Sequence, residues 1–386
     1  MDFRFTDEQT MIFETAASFL AEVSGSADVR KNILTDAGFS DHAWQQVCES
    51  MYWQAILIPE AYGGLALGYV EAIGILEQMG ERLFQSPYTT SAVLSTTLIE
   101  RLGTDAQQER LFESLLNGKI ATVAYTTARP DWTLASLSVR AEETSESVVL
   151  QGECCFVAHA HSADIIIVAA MSSADTTSDD ISCYWLESTA PGMSIEHTPS
   201  LDQTQPLGRI SFDSVVIPAG QRLGGLGQAG SVFTDVLDLA RIASAADLVG
   251  VAQRSLDMSV DYAKERVQFG RAIASFQSIK HKAADMMLKV ESARSLLYYA
   301  ACVADEWLAG RAASNALAEA SAMVKVSAAE AAFFNAGTGI QIHGGVGITE
   351  EYDIQLYFKR ARAGENYLGS PAIQREVIAR QLLDLG

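Results

Sequence analysis

The sequence predicts a mainly helical α+β fold, with helices at both ends and strands confined to the middle. Three observations carry this. First, apolar residues recur every three or four positions at Phe276, Ile279, Ala283, Met286, Val290, Ala293, Leu297, Ala300, Ala304 and Trp307. They place one apolar stripe along roughly nine turns of helix, and so regular a stripe belongs in a bundle of near-parallel helices. Second, from about Ile120 to Pro218 the pattern becomes short β-rich runs separated by turn-rich stretches, which suggests a small antiparallel barrel or sandwich. Third, the residues before Asn117-Gly118 carry helical patterning again. The expected segments are an N-terminal helical domain (1–119), a central β domain (120–222) and a C-terminal helical bundle domain (223–386).

In chain order, Thr6 starts an amphipathic run from Glu8 to Leu20, and a second helix covers Asp41 to Met51. Pro59 and the pair Gly63-Gly64 interrupt regular structure. Helices resume over Tyr69–Met79, Thr89–Leu102 and Asp105–Leu116. Strands are expected at Ile120–Thr126, Ser147–Leu150, Cys155–Val157, Asp164–Ala169, Ser182–Leu186, Met193–Ile195, Ile210–Phe212 and Val215–Pro218. The Ser/Asp/Thr run over 172–180 reads as a solvated loop. Long, Ala-rich helices at Leu237–Val267 and Ala312–Phe334 flank the striped one.

Composition narrows function by exclusion. A formal net charge of −21 disfavours nucleic acid, since phosphate binding needs a basic surface. The five cysteines form no CxxC pair or spaced framework, which points to a reducing, cytoplasmic setting. Cys154 and Cys155 read as small buried hydrophobes. No signal peptide is visible in the Met1–Phe5 start, and no apolar run approaches the roughly 20 residues of a membrane span. His159 and His161, two apart on an expected strand, would share a face. No third ligand is evident, so no metal site is expected.

The stretch from Gln341 to Tyr352 holds three glycines within four residues, at 344, 345 and 347. Taken alone it is a helix C-cap and turn, or a place where backbone amides approach an anion. Its company decides between these. Pro59-Glu60-Ala61-Tyr62-Gly63-Gly64, Tyr262-Ala263-Lys264-Glu265-Arg266-Val267-Gln268-Phe269-Gly270, Phe276-Gln277, Ala284-Asp285-Met286 and Gln341-Ile342-His343-Gly344-Gly345-Val346-Gly347 occur in fixed order. Together they resemble the acyl-CoA dehydrogenase family over essentially the full length.

The resemblance implies an N-terminal helical domain, a central β-barrel-like domain and a C-terminal four-helix bundle, in a tetrameric FAD enzyme that removes a proton from Cα and a hydride from Cβ of an acyl-CoA. Electrons then pass to an electron-transfer flavoprotein. It also implies flavin sites shared between chains. Arg266, Phe269, Gln341, Gly344 and Gly345 match the groups that reach a neighbour's flavin. The groups offered to a chain's own flavin match Thr126, Phe156 and Ala158, and here they are eroded. The family's Thr-Glu-Pro and Gly-Ser-Asp elements are replaced by Thr126-Thr127-Ala128-Arg129-Pro130-Asp131-Trp132, and a Trp-Ile-Thr or Trp-Ile-Ser strand by Phe156-Val157-Ala158. Arg241, Tyr367, Leu368 and Gly369 match substrate-facing positions.

The base is the larger departure. The family places a Glu where this chain has Leu368, or just before the residue matching Arg241, where it has Ala240. Neither side chain accepts a proton, although the Leu368 N–H remains able to polarise a thioester carbonyl. Glu365, one helical turn earlier, is the local substitute, with an ion pair to Arg360 or Arg362 as its competing role. The asymmetry is what the non-catalytic member of an α₂β₂ acyl-CoA dehydrogenase would carry. Such heterotetramers occur in bacterial breakdown of steroid side chains. A self-sufficient homotetramer with Glu365 or water as base, and a redox-inactive acyl-CoA-binding relative, are the alternatives.

Overall fold

The computed structural model describes residues 5–129, 131–171 and 180–383. The solvated loop expected over 172–180 lies, except for Asp180, outside them. The chain divides into two compact units, one of Met1–Ile33, Tyr69–Gln85 and Arg241–Gly386, the other of Leu34–Gly68 and Ser86–Ala240.

The helices form where caps and apolar spacing agree. Helix α1 (Asp7–Val23) opens on a capping box, in which Thr6 accepts from the Gln9 amide and the Gln9 side chain returns to Thr6. Helix α2 (Ser26–Ile33) has no counterpart in the sequence reading, because it buries only Val29. Helices α3 (Asp41–Glu49), α4 (Tyr69–Glu81), α5 (Thr96–Leu102) and α6 (Asp105–Leu116) lie where expected, with a π-helical stretch over Thr89–Ser95 leading into α5. The C-terminal part holds α7 (Gly230–Glu265), α8 (Gln277–Leu308), α9 (Ser314–His343), α10 (Ile354–Asn366) and α11 (Pro371–Leu382).

In the first unit the stripe on α8 is core: Met286, Val290, Ala293, Leu297, Ala300 and Ala304 are fully buried. Helix α4 crosses the part of α7 beyond Arg241 at backbone distance. A Cβ on Gly250 would stand 2.0 Å from the Glu77 carbonyl, and one on Gly80 2.1 Å from the Asp247 carbonyl. Any side chain at either position would wedge the helices apart.

The second unit is built on an eight-stranded sheet. Its strands are β1 (Ala121–Ala124), β2 (Arg140–Glu143), β3 (Ser147–Ala158), β4 (Ile165–Met171), β5 (Ile181–Glu187), β6 (Met193–Thr198), β7 (Leu207–Pro218) and β8 (Arg222–Leu223). The order is β6-β7-β3-β2-β4-β5-β8, with β1 beside β4. The barrel expected from the strand spacing is therefore not closed. The sheet is also mixed, since β1 pairs parallel to β4 with Ala121 opposite Ile165. Two pairs of expected short strands are single twelve-residue strands, β3 and β7, interrupted by bulges. Each bulge breaks the alternation as a strand end would, so each long strand looks like two in the sequence.

Candidate functional site

The Arg266 stretch is shaped by the end of α7 and a tight hairpin. Strands β9 (Val267–Gln268) and β10 (Arg271–Ala272) pair across Phe269-Gly270. Both turn residues have positive φ, 53° and 77°, the geometry of a type I′ turn. A phenylalanine in the left-handed region is uncommon, and this one is 90% exposed. The Arg271 guanidinium lies 4.2 Å from the Phe276 ring centre, and Phe269 meets that ring edge-on at 6.1 Å. The Arg266 backbone is held on both sides: its N–H donates to the Tyr262 carbonyl, and its carbonyl accepts from the Ile273 amide, each at 2.9 Å. Its side chain is exposed and makes no ion pair, with Glu265 or any other acid, among the described residues.

Opposite the hairpin, α9 runs nine residues past the expected Phe334 end, to His343. Gly344 breaks it at φ 69°, ψ −145°, a conformation essentially reserved for glycine. His343 is clamped: Nδ1 lies 2.7 Å from the Gly339 carbonyl, and the ring stacks on Tyr262 with centres 4.2 Å apart. Burial lowers its pKa, keeping the imidazole neutral. Tyr352 meets both rings edge-on. Tyr262, His343 and Tyr352 carry no role by sequence pattern alone, although Tyr262 sits one helical turn before Arg266.

Hairpin and turn enclose a cleft of about 660 Å³, lined by Arg266, Phe269, Phe276, His343, Gly344 and Gly345 among others. A Cβ added to Gly344 or Gly345 would meet nothing within 4 Å, so this glycine face is open to a ligand. Gln341 is not in the cleft. It lies one turn back on the exposed face of α9, in a separate hollow with Lys282, Lys289, Phe333 and Phe334.

The β-side residues belong to the other unit. Thr126 is buried, and its hydroxyl donates to the Cys155 carbonyl. Phe156 lies in the bulge of β3 at φ 55° and packs near Trp132, with ring centres 6.5 Å apart. Ala158 offers no side-chain polar atom, and its carbonyl accepts from the Thr122 hydroxyl at 2.6 Å. His159 and His161 do not share a strand face, because β3 ends at Ala158. His159 turns away at φ 53°, and His161 lies in the 3₁₀ turn that follows. No trio of His, Cys, Asp or Glu among the described residues is placed to hold a metal.

The turn after α10 carries the remaining candidates. Leu368 is 1% exposed and left-handed at φ 62°. Its carbonyl accepts from Arg241 Nε at 3.0 Å and Gln374 Nε2 at 3.4 Å. Its N–H has no hydrogen bond among the described residues. Tyr367 is half-buried and Gly369 buried beside it. Glu365 is tied to Arg362 at 2.5 Å, and Arg360, 1% exposed, pairs with Asp247 at 2.7 Å. Beneath the turn lies a residue absent from the sequence reading, Lys325. It is fully buried, with Nζ 2.6 Å from the Gly364 carbonyl and 3.1 Å from the Ser244 hydroxyl. Burial, with help from the Arg241 charge, lowers its pKa to about 7, while Asp247 and Glu365 oppose the shift.

Comparison with known proteins settles the lineage. The acyl-CoA dehydrogenase N-terminal domain matches residues 6–119, and the acyl-CoA dehydrogenase C-terminal domain matches residues 229–383. Acyl-CoA dehydrogenase IpdE2 of Mycobacterium tuberculosis is 32% identical over 375 residues, covering 97% of this chain and 96% of its own. The chain belongs to the acyl-CoA dehydrogenase family. Butyryl-CoA dehydrogenase of Megasphaera elsdenii superposes with a TM-score of 0.90 at 27% identity, over 99% of this chain and 100% of that one. A chain of the ChsE4-ChsE5 complex from Mycobacterium tuberculosis does so with a TM-score of 0.87 at 25% identity, over 100% and 99%. The fold is that of acyl-CoA dehydrogenases.

Family relatives are FAD-dependent flavoproteins. The open glycine face and the unpaired Arg266 fit the pyrophosphate end of such a cofactor. The flavin-ring end fits poorly. The Thr126 hydroxyl is already committed to Cys155, and Ala158 has none.

Proposed function

We propose that this chain is the non-catalytic-type subunit of an FAD-dependent, heterotetrameric acyl-CoA dehydrogenase, completing the cofactor site of a second, catalytic chain. The observation that carries this reading is a contrast. The cleft of Arg266, Gly344 and Gly345 is open and uncommitted, while the usual base position is a buried leucine.

When bound, FAD supplies the hydride acceptor for α,β-desaturation. The chain's own residues do the rest of what is proposed. Arg266 presents a charged fork to phosphate oxygens, and Gly344-Gly345 lets backbone approach them. Phe269 and Phe276 offer apolar surface beside the phosphates. At the Leu368 turn, Arg241 and Gln374 hold the carbonyl inward, which leaves the amide able to polarise a thioester carbonyl. No side chain there takes the α-proton, since Glu365 is engaged by Arg362. A chain of this fold is found in the ChsE4-ChsE5 complex, which supports the heteromeric assembly. The substrate we propose is a bulky CoA ester of the steroid side-chain kind, and the electron acceptor an electron-transfer flavoprotein.

The test is expression of this chain alone and together with an acyl-CoA dehydrogenase encoded beside it. The reading expects FAD and dehydrogenase activity to be recovered only with the pair. Stoichiometric FAD and full activity in the lone chain would overturn it.

A further inference from the structure

A smaller cavity lies in the first unit, walled by the segments that follow α1 and α4 and by α2, α7 and the start of α10. It has about 100 Å³ and is lined by Arg82, Arg254, Ser24, Ser26, Tyr357 and Asp353 among others. Two arginines dominate it. Both are half-buried, and neither makes an ion pair among the described residues. Arg129, Arg140, Arg266 and Arg271 also make no ion pair among the described residues, but they are exposed.

That pairing is costly as it stands. Taking a guanidinium partly out of water carries a penalty that an anion normally offsets, and two such cations lining one small space repel each other. The chain has 48 acidic residues against 27 lysines and arginines, so carboxylates are not scarce. The acid that lines the cavity, Asp353, is held by Arg30 at 2.6 Å. Glu81, outside the lining, lies within electrostatic reach of Arg82 but forms no ion pair with it among the described residues. Tyr357 donates its hydroxyl to the Glu81 carbonyl at 2.7 Å and also meets Arg254, while burial raises its pKa and keeps it neutral. Ser24 donates to the Arg82 carbonyl at 3.0 Å.

We infer that this cavity is a phosphate site, taking either inorganic phosphate or the terminal phosphate of a phosphomonoester. Two guanidinium forks match a tetrahedral dianion in charge and donor geometry, whereas a carboxylate would leave one cation unmatched. The volume admits one such group and not a nucleotide. The site is separate from the Arg266 cleft and does not depend on how flavin is bound.

The test is thermal unfolding of the full-length chain titrated with inorganic phosphate, glycerol 3-phosphate, or acetate, each at matched ionic strength with chloride. Phosphate should raise the melting temperature saturably, by about 2 °C at ten times its dissociation constant. The response should persist in Arg266→Gln and weaken at least tenfold in apparent affinity in Arg254→Gln and in Arg82→Gln. Phosphorus NMR line broadening on the wild-type chain, competed by glycerol 3-phosphate, reads binding directly should either variant fail to fold. A response to glycerol 3-phosphate as well as phosphate supports an ester-borne ligand, and one to phosphate alone supports the free ion. No saturable response, an equal response to acetate, or a phosphate response unchanged in Arg254→Gln would overturn the inference.

Discussion

Lys325 offers the sharpest quantitative prediction. In the unfolded chain its amine keeps a proton up to about pH 10.5, whereas in the fold it loses that proton near pH 7. Between those values the unfolded state binds more protons than the folded state, so stability rises with pH. Each factor of ten between the two constants corresponds to about 1.4 kcal/mol. The full span is therefore about 5 kcal/mol, present as a penalty below pH 7 and gone above pH 10.5. Between pH 7 and pH 9 the folded amine passes from half-protonated to neutral, which yields about 2 kcal/mol. Lys325→Met removes this titration along with the hydrogen bonds to Gly364 and Ser244. Urea unfolding of both proteins at pH 7 and pH 9 isolates the effect, because every other titrating group, including Glu81, which burial raises to about 7, is common to the pair. The wild type should gain about 2 kcal/mol on the variant over that interval. A difference that stays flat from pH 7 to pH 9 would refute the reasoning.

Other perturbations separate structure from function. Arg266→Gln should leave unfolding within about 0.5 kcal/mol of wild type, since the side chain is exposed and unpaired; in the assembled pair it should weaken flavin retention at least tenfold, read by flavin absorbance after gel filtration. Arg360→Met should cost about 3–5 kcal/mol, because it leaves the Asp247 carboxylate without its buried partner; chemical denaturation measures it. Glu365→Gln should leave activity of the pair unchanged and shift stability by less than about 0.5 kcal/mol, as for an exposed pair one turn apart. Leu368→Glu should restore α-proton exchange into solvent deuterium if the turn keeps its geometry, and mass spectrometry of the recovered CoA ester would detect it.

The helical part of the fold was legible because periodicity reports burial directly. The stripe from Phe276 to Trp307 specified α8 nearly to the residue, and Thr6 marked the start of α1. Helix α2 was not legible because only Val29 faces inward, and β2 because Ala141 is its one buried residue. The barrel expectation failed for a different reason. Alternation marks a strand but not its neighbour, and nothing in Ala121–Ala124 announces a parallel partner in Ile165–Val168.

The site divided along the same line. The loss of a carboxylate at Leu368 and at Ala240 could be read from residue identity alone. The open face at Gly344 and the ring stack of Tyr262 on His343 required the relative placement of α7 and α9 within their unit. Lys325 was hidden because a lysine inside an Ala-rich helix ordinarily faces solvent. Only its contacts with Gly364 and Ser244 reveal a buried amine beneath the Leu368 turn.

Flavin stoichiometry tests whether this chain completes a flavin site that it does not itself finish. Purified alone, the chain should carry less than about one-tenth of an FAD per protomer, taking the hydroxyl absent at Ala158 and the one Thr126 commits to Cys155 to weaken affinity by more than tenfold. Copurified with a catalytic partner, the complex should carry one FAD for each pair of unlike chains, and that FAD should be lost on Arg266→Gln in this chain. One FAD per protomer in the isolated chain, or a complex whose flavin is indifferent to Arg266→Gln, would contradict the account.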